Sequence, residues 1–353
     1  MTVVICRSNE RFLRLLEITG VPGAKADFVP LDQLARVTDY AADRPILIFA
    51  EPQVCRSTKS HLAELGLSEE RLISAEEPAR VFSALRDTAS RDDSEMVKLL
   101  IREDYFERAY YAYPLMTAAA QAKALGLRGF RAIELGVWTG IGLLNLGSLA
   151  SVIGDVHDLE IEVVGFDTGA GMPDPIGWPD HPELWQTGQL LMPDFNELRT
   201  RLPDNTKLVI GNVADTIVDF SKSLSKELPL GFVALDVDYF SSSEAALKVF
   251  DLEDQTHYLP ATPVYVDDSY IGVTQHEFSG EALAIHLRNL PNIRAIEEGR
   301  FDDASQLILR KHVRPGKPGK AWHHCMYFAH MLRHPVRKGD ETTKLSGIHH
   351  VHF

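Results

Sequence analysis

The stretch that decides the fold is residues 130–145, FRAIELGVWTGIGLLN. Its short apolar run around Ala132-Ile133 reads as a buried strand. An acid and three glycines follow as Glu134-x-Gly136-x-x-x-Gly140-x-Gly142, and Leu143-Leu144 reads as the start of a helix packed on a sheet. Strand, glycine turn and helix in that order let backbone approach a nucleotide-like ligand closely, because glycine has no Cβ to hold it off. The spacing differs from the dinucleotide fingerprint G-x-G-x-x-G: the tight glycine pair comes last, and Asn145 follows without a further glycine. Gly-rich strand-to-helix turns also occur in α/β proteins of other function, so the turn speaks first to fold class.

An acid two residues before the first glycine, then a four-residue step, resembles motif I of the class I S-adenosylmethionine (SAM)-dependent methyltransferases. There the glycine loop passes under the amino-acid part of SAM. This resemblance implies that Glu134, Gly136, Thr139, Gly140 and Gly142 line a cofactor site.

Around this motif the chain has 353 residues, enough for two domains or one with large additions. With 45% hydrophobic and 24% charged residues, the composition is that of an ordinary globular protein. A net charge of −14 argues against nucleic-acid or anionic-membrane partners, since both carry the same sign. The three cysteines, Cys6, Cys55 and Cys325, form no CxxC pair and no disulfide framework, which fits a reducing cytoplasm. The opening MTVVICRSNERF is charged too early to read as a signal peptide, and no apolar run approaches a membrane span.

Residues 1–92 read as a small N-terminal α/β domain. Strands are expected at 2–6, 26–31, 45–50 and 71–75, with helical spacing at 10–18 and 57–65. No glycine fingerprint or cluster of acids or histidines marks this part, and the polar residues 86–96, RDTASRDDSEM, form its boundary. The main domain is expected over 93–314 and a C-terminal extension over 315–353. Pro114 reads as a helix start or break, and Tyr110, Tyr111 and Tyr113 before it read as packing residues.

The second strand of the main sheet, 161–166, is closed by Asp167. An acid at the carboxyl end of this strand, roughly 20 residues or more beyond the glycines, is where such folds hydrogen-bond ribose hydroxyls; the competing role is to initiate the turn with Gly169. Residues 172–194 have five prolines and two tryptophans and almost no periodicity. They read either as a lid or substrate wall or as a surface Ω-loop packed by its own aromatics. Residues 207–211 form a third strand. Asn212 after it is placed to meet an adenine or to cap a helix beginning at Thr216.

A fourth strand, 232–235, runs into LDVDYFSSSEAAL, and a fifth, 263–266, into Asp267-Asp268. In extended geometry Asp236 and Asp238 project to the same side. Ser241-x-x-Glu244 reads as a capping box that starts the next helix. Neighbouring strand ends would gather these acids at the edge where α/β sheets bind ligands. Carboxylates converging without Lys or Arg repel unless they hold a cation, and oxygen ligands favour Mg²⁺ or Ca²⁺ over zinc. The alternative is separate turn and cap residues in solvent.

The segments ALDVDYFSSSEAAL, VYVDDSY, GFDTGAGMP and EFSGEALAI together resemble the macrocin O-methyltransferase (TylF/MycF-type) family over roughly residues 105–310. Val237 stands where that family has glycine, and Phe240-Ser241 where it has Tyr-Glu. The resemblance implies a doubly wound Rossmann-like sheet of seven strands with the last one antiparallel. It implies SAM on the glycine turn, Asp167, Asn212 and Asp236. A divalent ion such as Mg²⁺ would sit on Asp236, Asp267 and Asp268.

The expected function is a SAM-dependent O-methyltransferase acting on a hydroxyl of a small molecule of sugar or natural-product type. Asp236 or Asp238 would accept the hydroxyl proton, with His276 as an alternative base. Partners would be the small-molecule substrate and further copies of the chain, without nucleic acid or membrane. The competing readings are a non-catalytic SAM- or nucleotide-binding module and a metal-dependent hydrolase or hydroxylase on the same sheet. At the tail, residues 293–299 and 305–313 read as the closing antiparallel strands. The run AWHHCMYFAHMLRH reads as helical, with His330 and His334 on one face. Its histidines, with His349, His350 and His352, read as solvated or packing residues rather than a metal site.

Overall fold

The computed structural model describes residues 2–23, 26–40, 44–86, 89–103, 105–269, 276–311 and 321–338. The chain divides into two compact units, residues 1–112 and 113–352.

The first unit contains β1 (Thr2–Cys6), α1 (Asn9–Thr19), β2 (Ala26–Pro30), β3 (Ile46–Phe49), α2 (Pro52–Glu64), β4 (Leu72–Ser74), α3 (Pro78–Arg86) and α4 (Asp93–Arg102). Its strands lie within a residue or two of the expected runs and pair in parallel in the order β2-β1-β3-β4. Strands β1 and β3 are buried along their whole length, so their sequences TVVIC and ILIF run apolar without alternation. Val3, Ile5, Val29, Ile46 and Ile48 share one core. Helix α1 is bounded as its sequence dictates: Ser8 accepts from the Arg11 N–H, and Gly20 closes it in the left-handed region. The polar stretch 86–96 joins α3 to α4 inside this unit, with Asp92 capping α4.

The division falls within α5 (Ala109–Leu125), which runs through Pro114 rather than breaking there. Burial of Leu115, Met116, Ala118 and Ala119 beyond the proline offsets the hydrogen bond it cannot donate. There follow β5 (Gly129–Leu135), α6 (Ile141–His157), β6 (Glu160–Asp167), α7 (Phe195–Arg201), β7 (Thr206–Ile210), α8 (Val213–Lys222), β8 (Leu230–Leu235), α9 (Phe240–Ala246), β9 (Ala261–Val266), α10 (Gly280–Glu297), β10 (Gln306–Arg310) and β11 (Met326–Met331). Among the described residues these strands form a seven-stranded sheet in the order β10-β11-β9-β8-β5-β6-β7. Strand β11 runs antiparallel to both its neighbours. The chain moves outward from β5 through β6 to β7, then returns to β8 on the other side of β5. Such a reversal opens a crevice outside the carboxyl ends of the two central strands.

The antiparallel end of the sheet is as expected in kind but not in residues. Residues 293–297 belong to α10, not to a strand. The last strand is instead MYFAHM, inside the run that reads as helical. Pairing on both edges of β11 overrides its local preference, and its burial roughly alternates as a strand's does. His330 therefore lies in a strand, and no helix face joins it to His334. His349, His350 and His352 lie outside the described residues.

Glu107 makes the first unit sensitive to pH. Its N–H donates to the Ala75 carbonyl at 3.0 Å, but side-chain Oε1 is buried without a hydrogen-bond partner. Burial, reinforced by nearby Glu76, pushes its carboxyl up to about 7 from the usual 4.5. The unfolded chain therefore releases this proton first, and stability falls as pH rises from about 4.5 to about 7, then levels. Glu107→Gln should flatten that decline and raise stability at pH 8 by about 2 kcal/mol. Denaturant unfolding across pH 5–9 measures it; an unchanged slope would contradict the assignment.

Candidate functional site

The turn after β5 is built by close approaches. Gly136 has φ 87°, and a Cβ there would lie 1.7 Å from the Asp236 carbonyl oxygen. A Cβ on Gly142 would lie 2.1 Å from Oε1 of Glu134, which is itself buried. Both positions thus require glycine for the protein's own packing. Thr139 is half-buried beside Gly140, the N-cap of the 17-residue helix α6, and no side chain caps that helix. The start of a helix whose N-cap residue has no side chain can receive an anionic group.

Asp167 performs the competing turn role and a second one besides. Its Oδ1 accepts from the Gly169 N–H at 2.7 Å, and its Oδ2 accepts from the Val137 and Trp138 N–H groups at 2.9 Å each. These three bonds engage three of the four lone-pair positions of the carboxylate. Asn212 caps α8 by accepting from the Ala214 N–H at 2.9 Å; that helix begins at Val213 rather than Thr216.

The acids of β8 and β9 meet. The register Ala234↔Tyr265 and Leu235↔Val266 places Asp236 and Asp267 as the next residues of adjacent parallel strands. Asp236, Asp267 and Asp268 are half-buried, whereas Asp238 is buried. Burial first, then Asp267, Asp238, Glu134 and Asp268 in turn, push the Asp236 carboxyl well above its usual range. Asp238 does not continue the extended pattern: β8 ends at Leu235, and Asp238 has φ 57°. Burial and a hydrogen bond with Asp268 push its carboxyl up to about 8. That bond engages the group offered by sequence as a base. Tyr265 donates its hydroxyl to Asp267 Oδ1 at 2.5 Å.

Glu281, in the first turn of α10, escaped the sequence reading. Its Oε1 accepts from the Val237 N–H at 2.9 Å and the Asp238 N–H at 3.3 Å, and its Oε2 accepts from the Asp268 N–H at 3.0 Å. It is fully buried; burial, then Asp268 and Asp236, push its carboxyl well above the usual range. An acid in a helix's first turn is too common to announce such a role.

The capping box read at Ser241 is not one: α9 starts at Phe240 with Tyr239 as N-cap, and Ser241 bonds to Asp180 of the 172–194 loop instead. That loop contains one helical turn, Trp178–Asp180; its Trp178 is exposed and its Trp185 half-buried. His276 is exposed, with its ring centroid 5.7 Å from that of His181. In the tail, His323 and His324 lie in a single helical turn, Ala321–Cys325, and Cys325 Sγ donates to the Asp267 carbonyl at 3.4 Å. Among the described residues no group of three or more His, Cys, Asp and Glu is arranged as a formed metal site.

Replacing Glu281 with alanine strands three buried amide donors at once. At about 1–3 kcal/mol for each unsatisfied group, the loss should be about 4 kcal/mol after local relaxation. Glu281→Gln, which keeps one acceptor, should lose about half as much. Urea unfolding of the two variants measures this, and equal stability of Glu281→Ala and the parent would contradict the geometry.

No family model and no curated protein matches the chain. Solved structures similar to it include the calicheamicin methyltransferase CalS11, at 19% identity over 72% of this chain and 91% of that one, TM-score 0.38. The O-methyltransferase NovP is similar at 15% identity over 77% and 99%, TM-score 0.39. The MycE methyltransferase from the mycinamycin biosynthetic pathway, in complex with Mg and SAH, is similar at 13% over 80% and 63%, TM-score 0.32. At these values the likenesses add no weight, and the strand order carries the assignment. The described residues of the second unit have a doubly wound, Rossmann-like α/β fold of seven strands with β11 antiparallel.

Proposed function

We propose that this chain is a SAM-dependent O-methyltransferase that acts on a hydroxyl of a small molecule, of sugar or natural-product type, with help from a divalent cation. The observation that carries the reading is the junction of Gly136 with Asp236. The glycine turn packs directly on the backbone of the residue that begins the acid rim, at the reversal point of the sheet. A donor held over the turn and an acceptor held on the rim would therefore be neighbours.

The residues fit both groups. For SAM, the N-terminus of α6 has no side-chain cap and is suited to the carboxylate of its amino-acid part. Glu134, Gly136, Thr139, Gly140, Gly142, Asp167, Asn212 and Asp236 remain the proposed contacts. For the cation, the donor set is all oxygen, and Asp236 is held above its usual range by burial and then by its acidic neighbours, a repulsion that a hard divalent ion relieves. Asp236, Asp267 and Asp268, the half-buried members, would hold it.

Bound SAM supplies an electrophilic methyl group, and a bound cation lowers the pKa of a coordinated hydroxyl. The chain's own part is alignment and proton acceptance. The turn and the rim set donor and acceptor in line. Asp236 or the exposed His276 takes the hydroxyl proton. Asp238, bonded to Asp268, and Glu281, bonded to three amides, hold the rim in place. Among the described residues no helix is long and apolar enough to cross a membrane. The net charge of −14 disfavours nucleic acid as acceptor.

Binding of SAM, S-adenosylhomocysteine and Mg²⁺, alone and combined, is the first test, followed by methyl transfer from labelled SAM to a panel of sugars and glycosides bearing vicinal hydroxyls. Asp267→Ala should reduce transfer at least about 100-fold while leaving SAM affinity within about 2-fold. Full turnover by that variant would remove the metal reading. Cofactor binding without any accepted hydroxyl would favour a non-catalytic binding module, and Mg²⁺ binding without SAM binding a different metal reaction.

A further inference from the structure

Two adjacent residues of the proline-rich loop reach the starts of two different helices. Asp180 is fully buried. Its Oδ1 accepts from the Ser241 N–H at 2.8 Å, and its Oδ2 accepts from the Ser241 hydroxyl at 2.8 Å and the Ile176 N–H at 2.9 Å. His181 has φ 49° and is buried; its Nε2 is 2.5 Å from the Ser279 hydroxyl and its Nδ1 is 3.0 Å from Glu183 Oε1.

The two serines occupy matching places. Ser241 lies in the first turn of α9, which begins just past Asp236 and Asp238; Ser279 is the N-cap of α10, two residues before Glu281. Neither helix has a side-chain cap from its own N-cap residue. The Ser279 hydroxyl, which at that position ordinarily accepts from the helix, instead pairs with His181 Nε2, and it also lies 3.3 Å from both the Nδ1 and the carbonyl oxygen of His276. Built on Gly280, a Cβ would lie 3.0 Å from the Asp238 carbonyl oxygen and 3.5 Å from the His181 ring. The loop dipeptide, the α10 start and the end of the acid rim are therefore in mutual contact.

We infer that Asp180 and His181 are positioning residues: they clamp the starts of α9 and α10, and so fix the acid rim and His276 without touching the reacting atoms. A buried aspartate that only filled space would be costly beside apolar neighbours; here every one of its bonds is to a group that sets the height of α9 or the path of the loop. His181 acts on the second helix through Ser279, and that helix sets Glu281, whose oxygens hold the Val237, Asp238 and Asp268 amides. What the rim is for rests on the reaction proposed above; the clamp itself does not.

The test uses the full chain with Ser241→Ala, Ser279→Ala, Asp180→Asn and the conservative Ser279→Thr. Each serine variant removes a single hydroxyl, so folding survives if Asp180→Asn does not. Amide hydrogen exchange at Val237, Asp238 and Asp268 is read together with calorimetric affinities for Mg²⁺ alone and S-adenosylhomocysteine alone. Ser241→Ala and Ser279→Ala should speed exchange at those amides about 10-fold and weaken Mg²⁺ about 10-fold, the size of effect seen when outer-shell partners are lost. S-adenosylhomocysteine affinity should stay within about 2-fold, and Ser279→Thr should restore both readouts. Unchanged exchange in both alanine variants overturns the clamp, and so does an equal loss of both affinities, which marks general loosening. A parent protein that binds no Mg²⁺ sinks the metal reading alone, and the exchange arm then decides the clamp by itself.

Discussion

Three amide N–H groups from the ends of two neighbouring strands converge on one carboxylate, that of Glu281. The geometry at the rim depends on this. Parallel strands β8 and β9 end side by side, and without an acceptor their last amides would face the core unpaired. By taking all three, Glu281 ties the two strand ends to each other and to the start of α10. Asp236, Asp267 and Asp268 stay half-buried at the same rim, where Asp267 accepts from the Tyr265 hydroxyl and Asp268 is hydrogen-bonded with Asp238.

The same device appears on the opposite side of the crevice. Asp167 receives the consecutive Val137 and Trp138 amides on one oxygen, as Glu281 receives the consecutive Val237 and Asp238 amides on one of its own. Aiming two successive N–H groups at one anion needs the nest conformation, with one residue turned left-handed. In each case the second residue of the pair has positive φ, Trp138 at 46° and Asp238 at 57°. Both loops at the carboxyl edge thus owe their shape to an acid that turns inward toward backbone. Two unusual backbone conformations and two acids have a single explanation.

This arrangement marks where the sequence could be read and where it could not. Strands β1 to β9 were legible because continuous apolar runs between turn signals have few other uses in an α/β chain. The acids after β8 and β9 were legible as a group because strand ends on one edge must gather. Which acid faces solvent and which faces amides was not, since side-chain-to-backbone bonds leave no pattern in sequence. Asp180 and Ser241 are 61 residues apart, and the S-x-x-E spacing at Ser241 offered a local partner that the fold did not use. The tail failed for a different reason. MYFAHM holds no β-branched residue and IRAIE holds two, so the β-branched signal misleads at both; pairing and burial decide them.

Strand β11 has one more effect, on the order of assembly. It stands between β9 and β10, although it follows both in the chain. As the polypeptide leaves the ribosome, β10 emerges before β11, the strand it pairs with among the described residues. The right-hand border of the sheet closes only when residues 326–331 slot into a gap flanked by two waiting strands, a late step spanning a long stretch of chain. Nascent chains stalled before that point would carry two open strand edges, the surfaces from which misassembly starts.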